Sequence, residues 1–286
     1  MSEANISWQL LLLTNNWFVI RPIPAYNDRM ETSGLDNKTA AIIIPTYNEA
    51  ENIGNLLPIL TGRIASGLNG WILNIVVVDG NSNDGTPEIV EQLARDKSNI
   101  YLIKEGQKGG LGQAYITGFK YAIDKLSADV VIEFDADFQH PPAIIPVLLS
   151  KIDEGFDYVI GSRTIRDGGE SGGRNFLRSF LTQFGGLVAR LILFFPGQNF
   201  SKVTDPTSGL RATKVEGILS KINLEPGYFY SLKFGYKIQL LLETLATGAR
   251  YAEIPLLFQN RRSGRSKFEW GTVWDILVTC LRTRWG

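Results

Sequence analysis

Short apolar runs rich in β-branched residues alternate with longer, mixed segments from residue 40 onward. Most of these runs are closed by proline, glycine or aspartate, so the pattern predicts buried strands. Strands that are apolar on both faces and alternate with helices are typical of an α/β fold, in which helices cover both sides of a mostly parallel sheet. The predicted strands are Ala40–Ile44, Ile72–Val78, Ile100–Ile103, Val130–Phe134 and Tyr158–Ile160.

The segments between these strands predict helices. Asn48 is suited to cap the first helix, because the acid Glu51 stands three residues later. The second helix covers about Thr86–Asp96, with Pro87 near its start, where proline is favoured. The third covers about Leu111–Leu126. In sheets of this class ligands bind beyond the carboxyl ends of the strands, so the residues that follow the strands are the ones to search for chemistry.

The composition is that of a folded chain, since 44% of the 286 residues are apolar and 20% are charged. This length can bury the core of one large α/β domain or two smaller ones. The 29 basic and 29 acidic residues cancel, which argues against nucleic-acid binding through bulk charge. With only Cys280 and His140 of their types, the chain has no internal disulfide and no cluster of His and Cys metal ligands, and we expect a reducing, cytosol-like compartment.

The two ends of the chain differ from its centre. Residues 1–38 form a weakly patterned extension, whose uncharged stretch Trp8–Ile20 has 13 residues, whereas a spanning helix needs about 20. The extension also lacks the basic flank of a signal peptide. Residues 261–286 carry six basic and two acidic residues. We therefore expect an N-terminal extension, a main domain over 39–260 and a basic, amphipathic segment over 261–286.

The C-terminal segment combines a basic run with a predicted helix. Arg261–Lys267 has four cations in seven residues, which is also usual for a solvated loop. The helix that follows carries apolar residues at helical spacing and has Arg282 and Arg284 near its end. Such a stripe is typical of a core-facing helix, but the tryptophans and cations equally favour a helix lying on a membrane surface. The apolar positions are Trp270, Val273, Trp274, Leu277 and Leu281.

An acidic segment follows the predicted strand Val130–Phe134. If the chain stays extended there, Asp135, Asp137 and Gln139 point the same way and present three oxygen ligands to one side. Hard oxygen donors suit Mg²⁺ or Mn²⁺, which complete their shells with waters and phosphate oxygens. The segment therefore indicates a metal that is bound together with a diphosphate. The alternative is that the acids only cap the next helix.

The turn after the second strand carries another pair of acids. Asp79 stands at the strand tip, where a carboxylate can accept hydrogen bonds from a nucleobase N–H or a ribose hydroxyl. The glycine- and asparagine-rich turn lets a ligand come close. Asp84 precedes Gly85 and Thr86 in a pattern typical of a turn into a capped helix. We assign Asp79 to ligand binding and Asp84 to the architecture of the turn.

Six motifs taken in order resemble family 2 glycosyltransferases, and more closely the polyprenol-phosphate (dolichol-phosphate) mannose synthase group. The resemblance covers about residues 40–270 and implies a GT-A fold, a nucleoside diphosphate sugar donor, Mg²⁺ or Mn²⁺, a polyprenyl phosphate acceptor and inversion at the anomeric carbon. The motifs are PTYNE from Pro45, VVVDGNSNDGT from Val76, DADFQHPP from Asp135, GSR from Gly161, DPTSGLR from Asp205 and RRSGRSK from Arg261.

The resemblance also implies a set of donor-binding residues, carried over by motif position. Those that would hold the nucleoside are Pro45, Tyr47, Glu49, Val77 and Asp79. Those that would hold the metal are Asp135, Asp137 and Gln139, with Ala136 beside them in the donor site.

Cations would face the phosphates of donor and acceptor. By resemblance these are Arg163, Arg178, Arg261 and Lys267, of which Arg163, Arg261 and Lys267 belong to the donor site. Arg178 and Thr182 would bind the acceptor phosphate, with Arg174 as an alternative to Arg178. The catalytic residues implied are Asp137, Arg163 and Arg178.

The chain departs from the family pattern at Gly80, where a second aspartate is usual, and this leaves the nucleobase open. Glu133, within an apolar strand, has no expected role. The resemblance implies transfer of a hexose, mannose first and glucose second, to a polyprenyl phosphate at the cytosolic face of a membrane, with peripheral attachment through the C-terminal segment. The alternatives are a glycosyltransferase with a soluble saccharide or protein acceptor and a non-catalytic sugar-nucleotide-binding module.

Overall fold

A β-sheet forms the centre of the fold in this computed structural model, which describes residues 17–19, 37–170, 202–259 and 270–285. Within these residues, eight strands form the main sheet, in the order β1-β4-β3-β2-β5-β8-β6-β9, and β7 pairs with β10 apart from it. The strands are β1 (Trp17–Val19), β2 (Lys38–Thr46), β3 (Trp71–Asp79), β4 (Ile100–Glu105), β5 (Val130–Glu133), β6 (Tyr158–Ser162), β7 (Gly169–Glu170), β8 (Arg211–Lys214), β9 (Tyr251–Pro255) and β10 (Leu257–Phe258).

The five predicted strands are confirmed, each within two residues of its predicted ends, as β2 to β6. β4, β3, β2 and β5 run parallel, which brings their carboxyl ends to one edge of the sheet. β8 was not predicted, because a four-residue strand that begins with arginine and ends with lysine has no apolar run. It lies antiparallel between β5 and β6 and ends the parallel half of the sheet.

Helices cover both faces of the sheet, as predicted. Ile42 and Ile44 of β2 pack on one face in a core that includes Leu56 and Leu148, whereas Ile43 packs on the other face with Phe119. This alternation follows from the two-residue period of a strand. The helices are α1 (Ala50–Ile59, continued by a π turn at Leu60–Ile64), α2 (Thr86–Asp96), α3 (Leu111–Leu126), α4 (Ile145–Asp153), α5 (Tyr236–Ala246) and α6 (Trp270–Trp285).

The predicted cap of α1 is wrong. Glu49 rather than Asn48 stands at the N-cap position, and its side chain makes no capping hydrogen bond. The backbone amides at the start of α1 are instead bound by side chains that follow β3. Ala50 N–H donates to Asp84 Oδ2 at 3.0 Å, and Glu49 N–H, at the N-cap, donates to Thr86 Oγ1 at 3.0 Å. The loops after β2 and β3 are therefore joined into one structure at the edge of the sheet.

The C-terminal helix α6 has a buried side and an exposed apolar side. Thr279 and Cys280 are 1% exposed, and Cys280 packs into a core cluster with residues of β6. Trp274, Leu281 and Trp285 are 68%, 38% and 72% exposed. Across the described ranges, every helix is too short or too polar to cross a bilayer.

Candidate active site at the carboxyl edge of the sheet

The predicted nucleoside residues lie where β2 and β3 end side by side, with Thr46 paired to Asp79. Pro45, Tyr47 and Glu49 are half-buried along this edge and reachable from outside. Val77 differs from them, because its side chain is fully buried in the core on one face of the sheet. Its side chain therefore packs in the core, and contact of Val77 with a nucleoside stays a prediction.

Asp79 organises the turn that follows it. Its Oδ1 accepts hydrogen bonds from Thr46 Oγ1 at 2.9 Å and Ser82 Oγ at 2.6 Å, and its Oδ2 accepts one from Ser82 N–H at 2.8 Å. Asp84 has the architectural role that the sequence predicts, since its Oδ1 accepts from both the N–H and the hydroxyl of Thr86. Asp79, predicted to bind a ligand, thus has an architectural role as well.

Sequence reasoning missed a further carboxyl group at this edge. Glu105 ends β4, is only 3% exposed, and accepts one hydrogen bond at Oε2 from Gly109 N–H at 3.3 Å. Burial raises the pKa of Glu105 to about 7, and the nearby charge of Asp79 adds to the rise. The predicted strand stopped at Ile103, which hid the fact that an acid occupies the tip of a third parallel strand.

The acidic segment after β5 turns instead of staying extended, so the predicted alternation is wrong. β5 ends at Glu133, residues 136–137 lie in a turn, and Phe138 has a left-handed backbone with φ of 63°. Asp137 Oδ1 accepts a hydrogen bond from Gln139 N–H at 3.0 Å, which closes this turn. Asp135 and Asp137 therefore reach the edge of the sheet on a tight loop.

Asp135 is held in place by neighbours from other elements. Tyr115 of α3 donates its hydroxyl to Asp135 Oδ1 at 2.9 Å. The backbone N–H of Asp135 donates to His140 Nδ1 at 3.4 Å. Burial lowers the pKa of His140 to about 4, and its ring packs edge-on against Phe134 and Phe258. His140 is therefore neutral at pH 7 and serves to pack and hold this loop.

The donor set around Asp135 and Asp137 fits a divalent metal that arrives with a ligand. Among the residues that the structure describes, no three His, Cys, Asp or Glu side chains converge as a closed metal site. Mg²⁺ is commonly bound by one or two carboxylates together with phosphate oxygens and waters. A Cβ atom on Gly209 would lie 3.2 Å from Asp135 Oδ2, so glycine at this position leaves the space beside that carboxylate open.

Glu133, which the sequence left without a role, is the centre of a buried charge cluster behind Asp135. It accepts hydrogen bonds from the Tyr236 hydroxyl and from Lys237 Nζ at 3.0 Å, both on α5. Arg211 Nε of β8 lies 3.9 Å from Glu133 Oε2. Lys237 Nζ also lies 4.4 Å from the centre of the Tyr115 ring. These partners are some 80 to 100 positions distant along the chain, so no local pattern could reveal them.

Arg163 is bound to a carboxylate of the DPTSGLR motif. Its Nε and Nη2 donate to the two oxygens of Asp205 at 2.7 Å each, and Nη2 also donates to Thr207 Oγ1 at 3.0 Å. Burial raises the pKa of Asp205, but Arg163 outweighs it and keeps that pKa below its usual range. Arg163 is thus firmly oriented after β6, and phosphate binding by it stays a prediction.

Four further predicted residues lie outside the described ranges, together with the basic run over 261–267. They are Arg178, Thr182, Arg261 and Lys267.

Comparisons with known proteins show the family to which the chain belongs. Residues 41–209, more than half of the chain, match the model of the family described as glycosyl transferase family 2. The chain is 34% identical over 244 residues to an undecaprenyl-phosphate mannosyltransferase of Micrococcus luteus, covering 85% of this chain and 92% of that protein. It is 36% identical over 239 residues to a dolichol-phosphate mannosyltransferase of Pyrococcus furiosus, covering 83% of this chain but 61% of that longer protein.

The fold also matches a solved structure. Glucosyl-3-phosphoglycerate synthase from Mycobacterium tuberculosis, in complex with Mn²⁺, UDP-glucose and glycerol 3-phosphate, superposes with a TM-score of 0.59 at 20% identity. The match covers 86% of this chain and 80% of that one, and it confirms the predicted GT-A fold. Because the family model matches more than half of the chain and a curated relative is 34% identical over 85% of it, the chain belongs to glycosyl transferase family 2.

Proposed function

We propose that this protein transfers a mannosyl group from a nucleoside diphosphate sugar to a polyprenyl phosphate. The observation that carries the proposal is the pair of carboxylates, Asp135 and Asp137, on a tight loop at the carboxyl edge of the sheet, beside Gly209. The relatives named as mannosyltransferases of dolichol and undecaprenyl phosphate supply the sugar and the acceptor class.

The donor diphosphate would lie between the loop after β5 and the turns after β2 and β3. Asp135 and Asp137 would hold Mg²⁺ or Mn²⁺ there, with Gln139 as a further oxygen ligand. Such a metal neutralises charge that develops on the departing diphosphate. Tyr115 fixes the orientation of Asp135 through its 2.9 Å hydrogen bond, so this carboxylate is aimed before any ligand arrives.

The acceptor needs no general base from the protein. A phosphate monoester has a second pKa of about 6 and is largely a dianion at neutral pH, so its oxygen is already a nucleophile. That oxygen attacks the anomeric carbon as the bond to the donor diphosphate breaks, which inverts the configuration. This agrees with the state of His140, which is buried and bonded to the Asp135 backbone.

Two anionic substrates must be held together against their repulsion. Arg163, oriented by its ion pair with Asp205 and by Thr207, would donate hydrogen bonds to the phosphates. Arg261 and Lys267 would contact the donor phosphates, and Arg178 with Thr182 would bind the phosphate of the acceptor. In this scheme Asp137, Arg163 and Arg178 are the catalytic residues.

The C-terminal helix would bring the enzyme to its lipid substrate. Trp274, Leu281 and Trp285 are spaced by seven and four residues, which puts them on one face of a helix, and all three are exposed. Arg282 is exposed beside them. An apolar stripe with tryptophan and adjoining arginine suits the surface of an anionic membrane, and the enzyme would act there as a peripheral protein on the cytoplasmic side.

A crossed screen of donors and acceptors tests the proposal. Radiolabelled GDP-mannose and UDP-glucose would each be incubated with the protein and Mn²⁺ or Mg²⁺, with either a short polyprenyl phosphate or a soluble saccharide as acceptor. We expect label from GDP-mannose to move into the organic phase only with polyprenyl phosphate and metal. Label that moves only to the saccharide, or nucleotide binding without transfer to any acceptor, would overturn the proposal.

A further inference from the structure

Glu105 is a buried acid whose bonding within the fold is incomplete. Its Oε2 has one long hydrogen bond, from Gly109 N–H, and its Oε1 is buried with no hydrogen-bond partner among the described residues. Burying a carboxyl group that is not fully hydrogen-bonded costs free energy. The neighbouring Asp79 shows the opposite case, since its two oxygens accept three hydrogen bonds. Glu105 can therefore accept hydrogen bonds beyond the one that the fold supplies.

The carboxyl group of Glu105 lies against the turn that follows β3, beside Gly80. A Cβ atom on Gly80 would come within 3.4 Å of both Glu105 Oε2 and the carbonyl oxygen of Thr46. A side chain at position 80 would therefore pack directly against the glutamate, and an aspartate there would add a second negative charge beside it. Glycine at position 80 thus leaves the carboxyl group of Glu105, on the neighbouring strand β4, as the acid at this corner.

Tyr47 and Lys108 lie over the same corner. Lys108 Nζ is 3.8 Å from the centre of the Tyr47 ring, and Lys108 Cγ would be 3.7 Å from a Cβ atom on Gly80. A flat aromatic ligand that stacks on Tyr47 would take the place of the ammonium group. Movement of this flexible side chain would also uncover the corner that holds Glu105. The corner therefore combines a half-buried ring, a movable cover and a carboxyl group with an unused oxygen.

We infer that Glu105 is a specificity-determining residue for the donor, and that its carboxyl group accepts hydrogen bonds from the nucleobase. This inference rests on the proposed function, because it assumes that the donor nucleoside lies at this edge. A carboxylate only accepts hydrogen bonds, so it matches a base edge with adjacent donors. Guanine offers its N1–H and N2–H₂ side by side, whereas uracil offers one N–H between two carbonyl oxygens. The pocket should prefer guanine to uracil.

Nucleotide binding by Glu105→Gln tests the inference without relying on transfer. GDP and UDP affinities would be measured by calorimetry with Mn²⁺ at pH 8, above the pKa of about 7 of Glu105. The proteins compared are the wild type, Glu105→Gln and Glu88→Gln, which makes the same change at an exposed position on α2. We expect the wild type and Glu88→Gln to prefer GDP. In Glu105→Gln, GDP should bind about tenfold or more weakly, as expected for loss of a hydrogen bond to a charged group, while UDP binding changes little.

The outcomes separate the inference from the proposed function. Equal losses for GDP and UDP, no loss for either, or a wild-type preference for UDP would overturn the role of Glu105 and leave the transfer reaction standing. A wild type that binds neither nucleotide would overturn both. If Glu105→Gln does not fold, Glu105→Asp keeps the charge but shortens the side chain, and it should lower the GDP-to-UDP preference because the carboxyl group no longer reaches the base. An unchanged preference in that variant would contradict the inference.

Discussion

Two buried glutamates at the ends of two parallel strands of the sheet have opposite surroundings. Glu133, at the end of β5, is 1% exposed and has Lys237 Nζ at 3.0 Å, Arg211 Nε at 3.9 Å and a hydrogen bond from Tyr236. Glu105, at the end of β4, is 3% exposed and has one bond from a backbone amide. The same residue type is thus charge-compensated within the fold in one place and nearly uncompensated in the other.

This difference distinguishes a glutamate that supports the site, Glu133, from one that can contact a ligand, Glu105. Glu133 Oε2 also lacks a hydrogen bond, but the Arg211 guanidinium lies 3.9 Å from it and Lys237 bonds to Oε1, so the charge of Glu133 is balanced within the fold. Lys237 also contacts the ring of Tyr115, whose hydroxyl bonds to Asp135. The Glu105 half keeps an acid that an external hydrogen-bond donor would satisfy. A buried charge that the fold compensates indicates support for a site, whereas one that it leaves uncompensated indicates the place where a ligand completes the bonding.

The matched substitution Glu133→Gln should have the largest effect on stability. It removes the anion between Lys237 and Arg211 and leaves two buried cations without a carboxylate, which typically costs about 3–5 kcal/mol. Denaturant unfolding at pH 7 measures the loss, with Glu105→Gln as the control that makes the same change on the other strand. A loss below about 1 kcal/mol would show that the two glutamates do not differ as described.

Glu105→Gln should stabilise the protein, and the gain should depend on pH. The pKa of Glu105 is raised from 4.5 to about 7, so between these values the unfolded chain has lost its proton while the folded protein keeps it. The wild type therefore loses stability as the pH rises through this window and keeps the penalty above it. The variant avoids the penalty.

Thermal unfolding of wild type and Glu105→Gln from pH 4 to pH 9 measures this gain. The two proteins should unfold alike near pH 4.5, and the variant should be more stable by about 1–3 kcal/mol at pH 8. A gain that is constant across this range, or a variant that is less stable at pH 8, would mean that Glu105 is satisfied within the fold.

Tyr115→Phe should have a smaller effect, which is confined to the affinity for the metal. It removes the hydroxyl that orients Asp135 and leaves the ring packed among α3 and α5. The Mn²⁺ concentration for half-maximal transfer should rise about tenfold, as for other groups that orient a metal ligand, with the maximal rate at saturating Mn²⁺ nearly unchanged. A lower maximal rate at unchanged Mn²⁺ dependence would argue against a positioning role.

The sequence predicts the parallel half of the fold well because local patterns determine it. Apolar runs mark β2 to β6, and α3 has the predicted bounds Leu111–Leu126. Family motifs and strand-end positions together direct attention to Asp79, Asp135 and Asp137. These signals depend on residues that are close in the chain, which is why a single sequence contains them.

The remaining features depend on contacts between distant segments or on backbone geometry. The role of Glu133 depends on Lys237 and Arg211, which no local pattern connects to it. The left-handed backbone of Phe138 interrupts the extended conformation. The prediction that Asp135, Asp137 and Gln139 point to one side required that conformation. Glu105 was overlooked because the apolar run ends two residues before it, and only the folded edge shows that it shares a corner with Gly80.

The most direct test of the account is metal-dependent transfer by Asp137→Asn, which keeps the size of the side chain and an oxygen that can accept from Gln139 N–H. Radiolabelled GDP-mannose, polyprenyl phosphate and a Mn²⁺ series would be used with wild type and variant, and thermal unfolding would confirm that both are folded. The account predicts a loss of transfer of about a thousandfold or more at every Mn²⁺ concentration, because the carboxylate that holds the metal is gone. Transfer within a few-fold of wild type would contradict it.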